Sequence, residues 1–362
     1  MSFGVIGAGS RGVYDGSHMT RDANAKPAAI CDIYPDRIDR GKTQIPGADK
    51  APGIKDLNDL LAKQDIDAVL IATPINLHPA HFEAAVNAKK HIYCEKAAGA
   101  SVAGVKHLLA ANRKADPSKA IQFGFQQRHS PEYLKAWSIF KAGKIGEVKQ
   151  MMSYWILGNE PPTQTPTRQM PHEEELVRRW GSWRATSGSC IFEQDCHGID
   201  VLHWWAGNHP TKATGTGGLR FPLPYGDWTS DHHNITYYYP GGVEGWLISV
   251  KHTAGYREVK EQMYGSKGML ELARTYYKWH GMTPSAPLKN ADDLRDRSLI
   301  ERGDSTREIT IDALQYFFES IVNKEPHNEA QDAADSTFTA LLGRLAYETK
   351  REVTWEDMLK SE

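Results

Sequence analysis

Three glycines set directly behind an apolar run restrict this chain more than any other feature. In "VIGAGSRG", Gly7, Gly9 and Gly12 keep G-x-G-x-x-G spacing after the β-rich residues 3–6. Each glycine meets a steric demand: a tight turn, a backbone that lets a pyrophosphate approach, and a helix packed close on a strand. The helix opening at Ser10 and Arg11 points its free N–H groups at the same place, which favours an anion. A second β-rich run ends in "CDIYP" and sets Asp32 twenty residues after Gly12. A carboxylate there accepts ribose hydroxyls and repels a 2′-phosphate, so NAD is expected over NADP; Arg37 is the nearby residue that would serve the phosphate instead.

The strand-like runs 3–6, 28–31, 68–72, 91–94 and 121–125 alternate with helical spacing, as in Leu57, Leu60 and Leu61 or Val105, Leu108 and Leu109. That rhythm predicts a parallel, doubly wound sheet over residues 1–126, a Rossmann domain. A helix from Pro131 stops at Gly143. Longer strands are then expected at 151–157, 234–239, 244–251, 259–264 and 269–272, with Pro240-Gly241-Gly242 as a hairpin turn. Helices near 312–322 and 330–348 close the chain. Residues 127–362 therefore read as an α+β domain with a large, mainly antiparallel sheet, and the fold class as α/β. Stretches 161–171 and 222–226 read as loops, and 282–304 as a polar excursion.

Bulk properties narrow the partners. A chain of 362 residues exceeds one typical core, which agrees with two domains. Lys+Arg 43 against Asp+Glu 45 leaves no basic footprint for nucleic acid or an anionic membrane. The longest apolar run, 68–72, is far below a membrane span. Four isolated cysteines, Cys31, Cys94, Cys190 and Cys196, read as buried thiols of a reducing compartment. Strand-like sequence by Phe3 leaves no room for a signal peptide, so a cytoplasmic protein with a small-molecule substrate is expected.

Three stretches carry chemistry. "HIYCEKAAG" sets Glu95 and Lys96 behind a buried strand, where an unpaired charge costs several kcal/mol unless something uses it. "ATPINLH" brings Thr73, Pro74 and His78 to the same carboxyl edge, the side on which open α/β sheets bind ligands. His78 reads equally well as a helix start ahead of Pro79. "CIFEQDCHGIDVLHWWAG" reads as a helix stopped by Gly207, with Glu193, His197, Asp200 and Trp204 in one stripe. A solvated face is the usual meaning of such a stripe. Gly198, costing about 1 kcal/mol in mid-helix, points instead to close approach by a neighbour. No second His or Cys cluster completes a metal site, and no G-x-S-x-G, P-loop or H-E-x-x-H occurs.

"GVIGAGSRG", "CDIYPDR", "ATPINLH", "CEKAAG", "GFQQRHSPEY", "EQDCHGID", "YGSKGMLEL" and "REVTWEDML", in this order, resemble the Gfo/Idh/MocA oxidoreductase family along nearly the whole chain. The resemblance implies a catalytic Lys96 preceded by Glu95, a catalytic His197 with Glu193 and Asp200 around it, and Arg128 near cofactor and substrate. Ala97 stands where that family has proline, often described as cis, and Glu193 is one methylene longer than the commoner Asp. Hydride transfer between NAD and a secondary hydroxyl of a sugar, glycoside or cyclitol is implied, as is a homodimer or homotetramer. A redox-neutral, NAD-dependent glycoside hydrolase and a non-catalytic dinucleotide sensor are the other readings. C3 of a pyranose is the expected position, since two acids and an imidazole suit vicinal hydroxyls. A 2-hydroxy acid would need a cationic clamp and would be repelled by Glu193 and Asp200.

Overall fold

The computed structural model describes residues 1–159, 169–221, 225–253, 255–282 and 298–361. Its first six strands are β1 (Ser2–Ile6), β2 (Lys26–Cys31), β3 (Gly53–Ile54), β4 (Ala68–Ile71), β5 (His91–Cys94) and β6 (Ile121–Phe123). β4 is buried along its whole length and β1 and β5 along nearly all of theirs, which suits near-continuous apolar runs covered on both faces. They pair in parallel in the order β3-β2-β1-β4-β5-β6. The connecting helices are α1 (Ser10–Arg21), α2 (Pro35–Gln44), α3 (Leu57–Leu61), α4 (His78–Asn87) and α5 (Val102–Asn112). Strand order reverses between β1 and β4, and the crevice at such a reversal is where these sheets bind ligands.

Helix α6 (Pro131–Lys141) leads into a nine-stranded sheet. Its strands are β7 (Val148–Asn159), β8 (Lys212–Gly218), β9 (His232–Tyr239), β10 (Val243–His252), β11 (Glu258–Gly265), β12 (Gly268–Ala273), β13 (Tyr276–Gly281), β14 (Leu299–Asp304) and β15 (Val353–Thr354). The order is β14-β13-β12-β11-β7-β10-β9-β8-β15, antiparallel except where β10 runs parallel to β7. The expected turn at 240–242 joins β9 to β10, with Gly241 and Gly242 both at positive φ, +77° and +74°. The end of the 282–304 stretch is β14, an edge strand whose half-exposed side chains give little hydrophobic signal. Residues 283–297 and most of the expected loops lie outside the described residues.

Helices α7 (His172–Arg178), α8 (Arg184–Ser187) and α9 (Cys196–Ala206) pack between the sheets, and a π-helical turn at Ile191–Asp195 precedes α9. The carboxyl-terminal helices are α10 (Ile309–Val322), α11 (Ala330–Thr349) and α12 (Trp355–Lys360). α10 lies far along the chain yet returns to the first sheet, where Leu314, Phe317 and Phe318 join Phe3 and Tyr93 in one apolar cluster. α11 bridges the two halves: Thr337 accepts from the Ala98 N–H at 3.0 Å, and Ser336 donates to Asp200 at 2.6 Å. Among the described residues no helix is long and apolar enough to cross a membrane.

Gly198 has the close neighbour its position suggests. A Cβ there would lie 2.0 Å from Ser153 Oγ on β7. Alanine would gain about 1 kcal/mol of helix propensity but meet a buried strand, and overpacking costs about 1–3 kcal/mol. Gly198→Ala is therefore expected to lower the melting temperature, and Ser153→Gly in the same chain to restore part of it. Unchanged melting of the single variant would contradict this packing.

Candidate active site

The glycine turn is built by contact. Gly7 sits at φ +92°, and a Cβ on it would come 2.7 Å from the Ala72 carbonyl. A Cβ on Gly12 would fall 1.9 Å from the Gly7 carbonyl, so Gly12 closes α1 against the turn. Gly9 has nothing within 4 Å and faces open space. That space is a cavity of about 860 Å³ along the carboxyl edge of the first sheet, within the usual range for a ligand site.

At its β2 end, Asp32 Oδ2 accepts from the Ala8 N–H at 2.9 Å and Oδ1 from the Tyr34 N–H at 3.0 Å. Each oxygen keeps a lone pair for a further donor. Arg178, from α7, closes over this end: its guanidinium lies 3.8 Å from the Tyr34 ring and pairs with both oxygens of Asp36 at 2.7 and 2.8 Å. That pairing holds the Asp36 carboxyl down at about 2.

β1 and β4 separate this end from β5, where Glu95 and Lys96 emerge. Arg11 Nε lies 3.0 Å from both Glu95 Oε1 and Asp15 Oδ2. One guanidinium facing two buried carboxyls favours a single charge between them. Burial foremost, and the Glu95 charge, push Asp15 well above its usual range. Glu95 is raised by burial, but Arg11 and Lys96 outweigh this and hold it low. The buried His78 ring sits between the Ala97 carbonyl at 2.7 Å and the Thr73 carbonyl at 2.9 Å, tying the loops after β4 and β5 together. Burial lowers its pKa, so a neutral ring donates to one carbonyl at a time. His78 is thus both the first residue of α4 and part of the cavity wall. The Lys96–Ala97 bond is cis without proline.

Lys96 Nζ donates to the main-chain carbonyl of Glu193. This contact brings the edge of the first sheet onto the π turn before α9, where Glu193 and His197 line the same cavity. His197 stacks on Trp155, ring centroids 5.5 Å apart and 15° from parallel, with Phe125 edge-on at 6.2 Å. Its Nδ1 is buried without a partner. Burial first, then the charges of Lys96, Arg274 and Arg11, push the imidazole well below its usual pKa, leaving it neutral.

Gly7, Gly9, Ser10, Arg11, Asp32, Thr73, Pro74, His78, Glu95, Lys96, Glu193 and His197 line one cavity; Gly12, Arg128 and Asp200 do not. The expected stripe divides because three residues along an α-helix is about 60° short of a full turn. Asp200 points into the core, where Arg128 grips it with Nε and Nη2 at 2.8–3.0 Å and Ser336 donates at 2.6 Å. Trp204 covers that pair from outside, 5.7 Å from the Arg128 guanidinium. Of the aromatic residues that could stack on a ring, Trp180 lines the cavity and Trp183 does not. Trp155, Arg257 and Arg274 also line it and follow from no local sequence signal, since all three come from strands, or strand ends, of the second sheet. Among the described residues no group of three or more metal-ligating side chains occurs.

Asp195, in the π turn, takes part in a Ser-His-Asp row. His233 Nδ1 lies 2.8 Å from Asp195 and its Nε2 lies 2.7 Å from Ser230 Oγ, all three nearly or fully buried. Ser249 donates to the second Asp195 oxygen at 2.7 Å. Sealed in the core, this row fastens the π turn to β9 and β10.

Residues 1–122 match the Gfo/Idh/MocA oxidoreductase family, NAD-binding Rossmann fold, and residues 133–271 match the Gfo/Idh/MocA C-terminal domain. The chain is 27% identical to the uncharacterized oxidoreductase YrbE of Bacillus subtilis over 73% of its own length and 71% of that protein. It is 23% identical to a myo-inositol 2-dehydrogenase of Thermotoga maritima, covering 99% of this chain and all of that one. The structure of scyllo-inositol dehydrogenase from Lactobacillus casei with NAD(H) and scyllo-inositol superposes with a TM-score of 0.74 at 23% identity, over 98% and 99% of the two chains. Levoglucosan dehydrogenase in complex with NADH and levoglucosan gives 0.79 at 17%, over 98% and 99%.

The open face of Gly9, the carboxylate at Asp32 and the cavity between them fit NAD. Direct titration is expected to give at least tenfold tighter binding of NAD than of NADP, a gap of about 1.4 kcal/mol, with Asp32→Ser narrowing it; equal affinities in the parent protein would refute that role. A second expectation concerns Glu261, beneath Gly198. Burial pushes its carboxyl from 4.5 up to about 7, although Tyr133 donates to it at 2.5 Å. A raised folded-state pKa gives stability that is complete below about pH 4.5 and is lost as pH climbs to about 7, at roughly 1.4 kcal/mol per unit. Relative to Glu261→Gln, which cannot ionise, the parent should lose a few kcal/mol across that window in urea melts. A pH-independent difference would place the Glu261 pKa elsewhere.

Proposed function

The chain belongs to the Gfo/Idh/MocA oxidoreductase family, and on that premise we propose that it moves hydride between NAD and a secondary ring hydroxyl of a sugar, glycoside or cyclitol. The observation that carries this reading is the bond from Lys96 to the Glu193 carbonyl, which assembles Lys96, Glu193 and His197 from two domains around one end of the cavity. Relatives and fold neighbours named as inositol and levoglucosan dehydrogenases support a polyhydroxylated ring as substrate. C3 of a pyranose is the position proposed, because its hydroxyl has another on either side for flanking groups to hold.

NAD+, when bound, would supply the acceptor for the hydride that a carbinol loses in becoming a ketone. The hydroxyl proton must leave at the same time. Lys96 Nζ is the proposed acceptor of that proton, a step it can take only as the neutral amine, the form that its ammonium must reach by losing a proton before hydride leaves. His197, kept neutral by burial and by the surrounding cations, is poorly suited to hold the charge; it orients the hydroxyl through a hydrogen bond. The Glu193 carboxylate, to which the Gln194 amide donates, accepts from a neighbouring hydroxyl. Trp155 keeps the imidazole plane fixed and water away from one of its faces.

Lys96→Met and His197→Ala are each expected to lower kcat by roughly 100-fold or more while NAD still binds within a few-fold of normal. Either variant retaining near-normal turnover would remove that residue from the reaction. NADH and ketone should appear in equal amounts, with deuterium from borodeuteride trapping located on the ring. Cleavage of a glycoside without NADH accumulation would assign the redox-neutral hydrolase reading instead.

A further inference from the structure

Two arginines that line the cavity, Arg257 and Arg274, form no ion pair among the described residues. Arg257 stands one residue before β11; since Glu258 pairs with Ile156, Arg257 is level with Leu157. Arg274 stands just after β12; since Glu261 pairs with Leu272, Arg274 is level with Val259, itself opposite Trp155. Alternation along the strands therefore sets both arginines on the inner face of the second sheet, beside Trp155. The Arg274 guanidinium lies 5.6 Å from the Trp155 ring, whose other partner is His197. Its Nε is buried with no hydrogen-bond partner.

Of the other arginines, Arg11 pairs with Glu95 and Asp15, Arg178 with Asp36 and, outside the cavity, Arg128 with Asp200, while Arg37 forms no ion pair among the described residues but stands on α2 at the far, Asp32 end. Neither Arg257 nor Arg274 forms an ion pair among the described residues, though both line the cavity. Arg274 is partly buried with its Nε sealed from solvent, and a cation so shielded gains from an anion beside it. Local acids do not provide one. Asp200 is held by Arg128, Glu193 receives the Gln194 amide, and Glu261 makes no ion-pair contact with Arg274 and is kept largely protonated below about pH 7 by burial.

We propose that the substrate ring carries a carboxylate, as in a uronic acid or uronide, and that Arg257 and Arg274 are the residues that select it. A planar guanidinium offers two parallel N–H donors along one edge, which matches the two oxygens of a carboxylate. In a pyranuronate the carboxylate is carried on C5, two ring carbons from C3, so a pose with C3 at Lys96 directs the acid to a neighbouring part of the cavity wall, where the arginines stand. The proposal rests on the hydride-transfer reading only for which carbon faces Lys96; the anion preference stands on the arginines. It also reverses the expectation that acids in the site would repel a carboxylate.

The test is calorimetric titration of gluco-, galacto- and mannuronate, and of the matching neutral hexoses, into enzyme saturated with NADH, which cannot accept hydride. At least one uronate should bind tenfold or more tighter than its neutral hexose. Arg274→Gln and Arg257→Gln should each remove most of that preference, with neutral-hexose and NADH affinities within threefold of the parent. Arg257 is exposed, so its variant keeps the test open even if Arg274→Gln melts early. Equal binding of uronates and hexoses, a preference that survives the double variant, no uronate binding at all, or tighter binding of a hexose 6-phosphate would each overturn the proposal. Parallel NADH-formation assays with NAD+ separate the two readings. Turnover of neutral sugars without carboxylate preference overturns this proposal alone, whereas carboxylate-selective binding without NADH formation supports it and overturns hydride transfer.

Discussion

The ion pair between Arg11 and Glu95 is the contact on which the site depends. Glu95 follows directly after β5, one residue before Lys96, and Arg11 lies in the first turn of α1, so this bond fixes the nucleotide turn and the lysine in one frame. A buried carboxylate deprived of its partner costs about 3–5 kcal/mol, which makes the arrangement hard to relax. Neighbouring strands accommodate it: a Cβ on Gly124, just after β6, would come 2.6 Å from Glu95 Oε1. A charge pair behind a buried strand thus has a use at each member, Glu95 for holding the turn and Lys96 for facing the second domain.

The second domain meets that frame through one irregular turn. Five residues of π-helix carry Glu193 and Gln194 toward the cavity while Asp195 is tied back to β9 and β10 by His233, Ser230 and Ser249. π turns often mark functional sites, because the wider winding aims side chains that a regular helix would place elsewhere. The Ser-His-Asp row has the shape of a nucleophilic triad, but its burial gives it a fastening role. In the same helix the Arg128–Asp200 pair joins the loop after β6 to α9 and, through Ser336, to α11. Three separate polar anchors therefore hold a reaction centre contributed by both sheets.

Much of this was legible in the chain. Apolar runs bounded by glycine and charge mark the first sheet because a strand buried on both faces cannot alternate. Gly7, Gly9 and Asp32 follow from spacing, since a dinucleotide turn tolerates few other residues, and Glu95 and Lys96 stand out as a charge pair behind a buried strand. β14 and the π turn were not legible: a half-exposed edge strand lacks a hydrophobic period, and five residues of wide winding do not alter the composition of a helix. Asp200 was placed with His197 because regular helical spacing puts them on neighbouring faces; the partner that draws it inward, Arg128, lies 72 residues away.

By itself the sequence determined where the cofactor end lies, which residues ring it, and that a lysine and a histidine from distant segments were available for proton chemistry. Those properties are local, set by backbone sterics within a turn and by strand ends whose side is dictated by parallel pairing. Tertiary structure alone decided what else lines the cavity beside Lys96 and His197. Trp155, Arg257 and Arg274 come from strands that pair only once the second sheet closes, so their convergence, and the charge they present, is a consequence of register between segments that carry no sign of one another.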